Sequence, residues 1–134
     1  MNSTNDCFFC QRVEEKVILI NDVCRVLHVN DETYPGYVQV VVNNHVKELT
    51  DLTKENANIV FDTIWLMENK IRKIFCPDKV NIASLGNMVP HLHWHLIPRF
   101  VGDKHFPNPI WGNITNPLYK PKEYLIKQQQ LFTD

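Results

Sequence analysis

An α+β fold is predicted, with about five strands and one long helix covering one face of the sheet. Three features carry this expectation. Short apolar runs rich in Val and Ile alternate with turn formers. A Gly- and Pro-free stretch repeats apolar residues every three or four positions. A third stretch, His91-Leu92-His93-Trp94-His95-Leu96-Ile97-Pro98-Arg99, alternates histidine with apolar residues until a proline interrupts it.

Val17-Ile18-Leu19-Ile20 and Cys24-Arg25-Val26-Leu27-His28-Val29, separated by Asn21-Asp22, read as a strand, a turn and a second strand. The turn-rich Asn30-Asp31-Glu32-Thr33-Tyr34-Pro35-Gly36 then leads into Tyr37-Val38-Gln39-Val40-Val41-Val42, a β-branched run expected in the centre of the sheet. From Thr53 to about Phe75 the apolar positions Val60, Ile64, Met67, Ile71 and Ile74 mark an amphipathic helix. Thr53 is its expected N-cap, Glu55 and the Lys70, Arg72 and Lys73 group suit its dipole, and Pro77 follows its end. Lys79-Val80-Asn81-Ile82-Ala83-Ser84-Leu85 is a fourth strand, expected beside the histidine strand across the Gly86-Asn87 turn. The Pro- and Gly-rich segment 102–112 reads as an irregular loop with attached aromatics, and Pro121 opens a short helix reaching Leu131.

A length of 134 residues suits a single domain over 1–134. A formal net charge of −1 gives no electrostatic case for nucleic acid or an anionic membrane, so the expected partner is a small molecule. No apolar run nears the roughly 20 residues of a membrane span. The polar Met1-Asn2-Ser3-Thr4-Asn5-Asp6 start lacks the pattern of a secretory signal, which predicts a cytoplasmic protein with reduced thiols. In that compartment Cys7 and Cys10 form a C-x-x-C metal-clip candidate, whereas Cys24 and Cys76 are expected to be small buried hydrophobes.

Three of the six histidines fall within five positions, and strand alternation would place them on one face with Leu92, Trp94 and Leu96 in the core. Such a row can attack a phosphoryl or acyl centre, ligate a catalytic metal such as zinc, or simply sit on a half-exposed strand. Spacing leaves all three open. Cys7 and Cys10 with two distant histidines, His45 and one of His91, His93 or His95, would complete a closed tetrahedral zinc site. The same thiols could equally lie reduced beside a core.

At the triple-histidine stretch the sequence resembles the histidine triad (HIT) family, whose signature is His-x-His-x-His followed by apolar residues. The C-x-x-C pair, Tyr34-Pro35-Gly36-Tyr37, His45 with Glu48-Leu49-Thr50-Asp51-Leu52, and Asn81 through Gly86, Asn87 and Met88 fall in family order. The likeness covers a core of about 7–111 and leaves 112–134 as a C-terminal extension. It is greatest to a bacterial subgroup related to diadenosine polyphosphate hydrolases, which has a similar His-Trp-His-Leu-Ile-Pro-Arg-Phe run and Ile-Trp-Gly loop. The resemblance implies a HIT-like, mainly antiparallel sheet and a nucleotidyl hydrolase or transferase acting on dinucleoside polyphosphates or AMP amidates.

In that scheme His93 is the nucleophile that takes up AMP, His95 contacts the phosphate oxygens, and Asn81 orients the phosphate side. Asn30 or Asp31 would meet the ribose unless both serve only the turn, and Phe9 and Leu27 would line the base pocket or, as the stronger expectation, belong to the core. Gly86, Asn87 and Met88 would form the phosphate turn, and Arg99 could bind a distal phosphate or form a surface salt bridge. The resemblance also implies structural zinc on Cys7, Cys10, His45 and His91, no organic cofactor, and a homodimer in which Trp111 approaches the partner's site. The phosphate turn departs from the family, because Asn87-Met88-Val89-Pro90 stand where many members have Gln and Ser or Thr. Met88 cannot replace a hydroxyl, so backbone amides would have to supply that contact. A non-catalytic nucleotide-binding module, a zinc-dependent hydrolase and an interaction protein with vestigial catalysis are the alternatives.

Overall fold

The computed structural model describes residues 6–133. Met1 to Asn5, on which most of the signal-sequence reading rests, lie outside the described residues, as does Asp134. A short helix α1 (Phe8–Gln11) precedes strands β1 (Val17–Ile20), β2 (Cys24–His28) and β3 (Val38–Val42). The long helix α2 (Lys54–Phe75) follows, then β4 (Lys79–Ala83) and β5 (His93–Arg99), and finally α3 (Lys122–Leu125) running into a 3-10 turn at Ile126–Phe132. The strands form one antiparallel sheet in the order β1-β2-β3-β5-β4. β4 and β5 are therefore neighbours, as their proximity in sequence predicts.

Helix α2 starts where expected, with the Thr53 side chain accepting from the Asn56 amide at 3.1 Å. Its buried stripe is Val60, Thr63, Ile64, Met67, Ile71 and Phe75, while Ile74 is only half-buried. This stripe packs on the sheet face formed by Cys24, Val26, Val38, Val40, Val42, Val80, Trp94 and Leu96. The 3-10 turn after α3 adds Leu131 to the same core. Gly36 is a position where glycine is required: φ is +83°, and a Cβ there would lie 2.6 Å from the Phe75 ring.

One expectation changes, and one of the three open readings of the histidines is excluded. Cys24 is buried against Thr63, but Cys76 is exposed, because it caps α2 in the left-handed region at φ 48°. The histidine row is not half-exposed: His91, His93 and His95 are all buried, since loops and α1 cover the second sheet face. His91 also precedes the strand, which begins at His93. No helix among the described residues is long and apolar enough to cross a membrane.

Candidate active site and metal centre

The face opposite α2 is assembled by period-two alternation in adjacent strands. Val41 lies across from His93, Gln39 across from His95, Ala83 across from His95 and Asn81 across from Ile97. The ring of Phe9, brought in by α1, lies 4.8 Å from His93 and 5.6 Å from His91. Trp111, from the loop after β5, lies 5.1 Å from His95. His93 Nδ1 donates to the His91 carbonyl at 2.5 Å, so its proton is on Nδ1 and Nε2 carries a free lone pair. Burial pushes the His93 pKa down against the opposing pull of that hydrogen bond, which keeps the ring neutral. A neutral imidazole with an unprotonated Nε2 can act as a nucleophile.

His95 Nδ1 lies 2.5 Å from the Tyr37 hydroxyl. The Tyr37 contact was missed by sequence reasoning, which used this residue only to mark the lead-in to a strand. Its signal was available: Tyr37 precedes Gln39 by two, so both belong to the histidine face.

His91 leads a separate cluster. His91 Nδ1 is 3.2 Å from Cys7 Sγ, 3.5 Å from Cys10 Sγ and 3.2 Å from His45 Nδ1, and Cys10 Sγ is 3.3 Å from His45 Nδ1. The four donor atoms all lie within 4.8 Å of one another, so the group could hold a metal ion. Bonds of about 2.3 Å to sulfur and about 2.0 Å to nitrogen in a tetrahedron would space the ligands about 3.3–3.8 Å apart. The cluster is already close to that spacing. His91 Nε2 donates to the Val42 carbonyl at 2.6 Å, which leaves Nδ1 as the ligating lone pair. Burial, followed by the adjacent Cys7, pushes the Cys10 thiol up, and a bound cation would favour its thiolate.

A buried arginine that the sequence reading did not single out fixes α1 over this centre. Arg25 on β2 donates to the Phe9 carbonyl at 2.7 Å and pairs with Glu15 at 2.9 Å. A second buried arginine is Arg99. Its Nε and Nη2 grip Asp103 at 2.8 and 2.9 Å, Nη1 donates to Asn81 Oδ1 at 2.7 Å, and Nη2 also donates to the Asn108 carbonyl at 2.8 Å. Arg99 is only 2% exposed. Of the two readings of Arg99, a distal-phosphate fork or a salt bridge, the geometry displays the ion pair, which is buried and organises the loop after β5. Because Asn81 Oδ1 accepts from Arg99, the amide hydrogens are the end of Asn81 left for other contacts.

The remaining expected residues are distributed around this face. Asp31 lines a cavity of about 370 Å³ with Tyr34, Tyr37, Lys104, His105 and Trp111, and its Oδ1 also accepts from the Thr33 amide at 2.8 Å. Asn30 is exposed and lines a different cavity with His28 and Gln128. Of the two ribose candidates, Asp31 is the one beside the histidine row. Gly86, at φ 73°, lines a cavity of about 270 Å³ with Ser84, Pro90 and His93. Asn87 is exposed and Met88 is 92% exposed, so neither is folded onto the histidines. Trp111 is 51% exposed and rests on His95 of its own chain. Phe9 and Leu27 pack together with Val41.

The fold and site define a small α+β protein built around a buried imidazole row on one face of an antiparallel sheet. The family model described as the HIT domain matches residues 11–102, and the chain belongs to the HIT family. Among curated proteins, the bis(5'-adenosyl)-triphosphatase of Saccharomyces cerevisiae (strain YJM789) is 37% identical over 79 residues, covering 52% of this chain and 38% of the relative. The asymmetrical bis(5'-nucleosyl)-tetraphosphatase of Schizosaccharomyces pombe is 34% identical over 74 residues, covering 52% of this chain and 41% of the relative. The alignments thus span less than half of each yeast relative. Among solved structures, a histidine triad protein from Marinobacter aquaeolei VT8 is 31% identical, with 89% of each chain covered and a TM-score of 0.71. Another, from Sinorhizobium meliloti 1021, is 25% identical, covers 96% of this chain and 97% of its own, and has a TM-score of 0.74.

Proposed function

We propose that this chain hydrolyses nucleotides in which an AMP group is joined through its phosphate, with dinucleoside polyphosphates as the favoured substrates and AMP amidates as the second class. The observation that carries the reading is the His93 hydrogen bond, in which Nδ1–H is donated to a carbonyl and Nε2 stays free. Similarity to the two yeast hydrolases supports the substrate class. His93 Nε2 attacks the α-phosphorus, and the bond to the leaving group breaks, its electron pair going to the departing oxygen or nitrogen. The AMP group is then held by a phosphorus–nitrogen bond. Water adds at phosphorus and loses a proton as that bond breaks, releasing AMP and the free imidazole. His95 contacts the phosphate oxygens, the Asn81 amide and the Gly86 turn support the phosphate side, and Asp31 meets the ribose.

Purified His93→Ala or His93→Asn should keep its thermal midpoint and lose turnover by about 10³-fold or more. Near-normal hydrolysis would sink the role. The exposed Asn87-Met88 turn favours one second reading, a nucleotide-binding module with negligible turnover. Trapping a phosphorus–nitrogen adduct at His93 separates the two.

The Cys7, Cys10, His45 and His91 cluster would hold a structural zinc ion, since four protein ligands fill a tetrahedron and leave no position for substrate. Zinc there would tie α1 to the histidine strand. The two thiolate ligands suit a reducing cytoplasm. A homodimer is also proposed. Exposed Phe61, Trp65 and Leu66 on α2, with Ile82 on the edge strand β4 and Leu85 just beyond it, supply an apolar surface for a second copy.

A further inference from the structure

The two histidines that face the proposed substrate are not equivalent, and the difference lies in what holds each Nδ1. His93 Nδ1 faces a carbonyl, which can only accept, so that nitrogen is protonated. His95 Nδ1 faces a phenol, which can donate. The ring centroids are 4.8 Å apart, so two adjacent imidazoles meet partners of opposite character.

Three observations settle the sense of the second bond. The Tyr37 hydroxyl is buried, and a buried O–H requires an acceptor; His95 Nδ1 lies within reach at 2.5 Å. Burial, reinforced by Asp31, pushes the Tyr37 phenol up to about 12, with Gln39 acting the other way. A phenol that holds its proton so firmly is a donor near pH 7, and His95 Nδ1 is the acceptor in reach. Burial and then His93 press His95 down to about 4, so near pH 7 the ring carries one proton. With Nδ1 accepting, that proton resides on Nε2.

We propose that Tyr37 is a positioning residue that sets His95 as the Nε2–H tautomer, opposite to the tautomer of His93. The row then presents a lone pair at His93 and an N–H donor at His95. The pairing suits a phosphoryl centre, where one nitrogen attacks phosphorus and its neighbour donates to the oxygens that gain charge. In the other tautomer His95 would direct a lone pair at those oxygens and repel them. The inference rests on the nucleotide-hydrolase reading for its purpose, although the tautomer itself can be observed without turnover.

The test is long-range ¹H–¹⁵N correlation on ¹⁵N-histidine-labelled full-length protein, with His95 assigned by loss of its signals in His95→Gln. Native His95 should show a protonated Nε2 and an unprotonated Nδ1, and Tyr37→Phe should shift it to a mixture or to the Nδ1–H form. The same variant should lower kcat on a dinucleoside polyphosphate at least about tenfold while changing KM little. A native His95 protonated at Nδ1 overturns the proposal, as does a Tyr37→Phe protein that keeps the native tautomer or the native kcat. Because the native spectrum needs no variant, a poorly folded Tyr37→Phe does not rescue a wrong assignment. If His93→Ala retains turnover, the hydrolase mechanism fails while the tautomer result stands on its own.

Discussion

Two buried arginines show how single residues organise this molecule. Asp103 is fully buried, and burial alone would raise its pKa; the Arg99 hydrogen bonds and the amides of Phe100, Phe106 and His105 outweigh this and hold the carboxyl below its usual range. A carboxylate with a depressed folded pKa contributes stability that is present above its unfolded pKa of about 3.9 and is lost as pH falls through the folded value. His95 acts in the same direction at higher pH. Its folded pKa of about 4 lies below the ordinary 6.5, so the unfolded chain binds more protons between those values and stability falls as pH drops from 6.5 to 4. That loss is on the order of 3 kcal/mol over the whole interval. Chemical denaturation at pH 7, 5.5 and 4.5 should show the fall, and His95→Gln should flatten it; an unchanged slope would contradict a buried neutral His95. Removing one partner of the deeper pair is costlier, so Arg99→Ala should destabilise by about 3–5 kcal/mol, measured by the same titrations.

At the scale of elements, α1 has only four residues and cannot persist by itself. It is held by the Arg25 contact to Phe9 and by the contacts of Cys7 and Cys10 with His91 and His45, a group that could hold a metal ion. Cys10→Ser or exhaustive chelation should therefore lower the thermal midpoint and open residues 7–15 to proteolysis. About one zinc per chain is expected by elemental analysis of the native protein. Zinc-free native protein with an unchanged midpoint would remove the structural metal. Helix α2 is stable for local reasons as well as for its packing, and Thr53→Ala should cost about 1 kcal/mol through loss of the cap. Its limits and inner stripe were legible in the sequence because an amphipathic period and a cap are local signals. The burial of the histidine strand was not legible, because it depends on α1 and the 103–111 loop covering the second face from distant parts of the chain.

Across the whole molecule, the C-terminal segment belongs to the main core through Leu131, and Tyr124 stacks on Phe100 at 4.1 Å. Leu131→Ala should cost about 2–5 kcal/mol by denaturant unfolding, a loss that a loosely attached tail would not show. The apolar surface of α2 and β4 predicts a dimer by sedimentation, weakened by Trp65→Ala, whose native ring is 68% exposed. By itself the sequence determined the α+β class, the bounds of α2, the adjacency of β4 and β5, and the histidine run with its family. These follow from periodicity, capping and short-range order along the chain. Tertiary structure alone decided the strand order, the use of Arg99 as an internal clamp, the placement of Asp31 rather than Asn30 beside the row, and the pairing of Tyr37 with His95. Each depends on which distant side chains meet across the folded sheet, and a one-dimensional pattern records faces but not the partners brought to them.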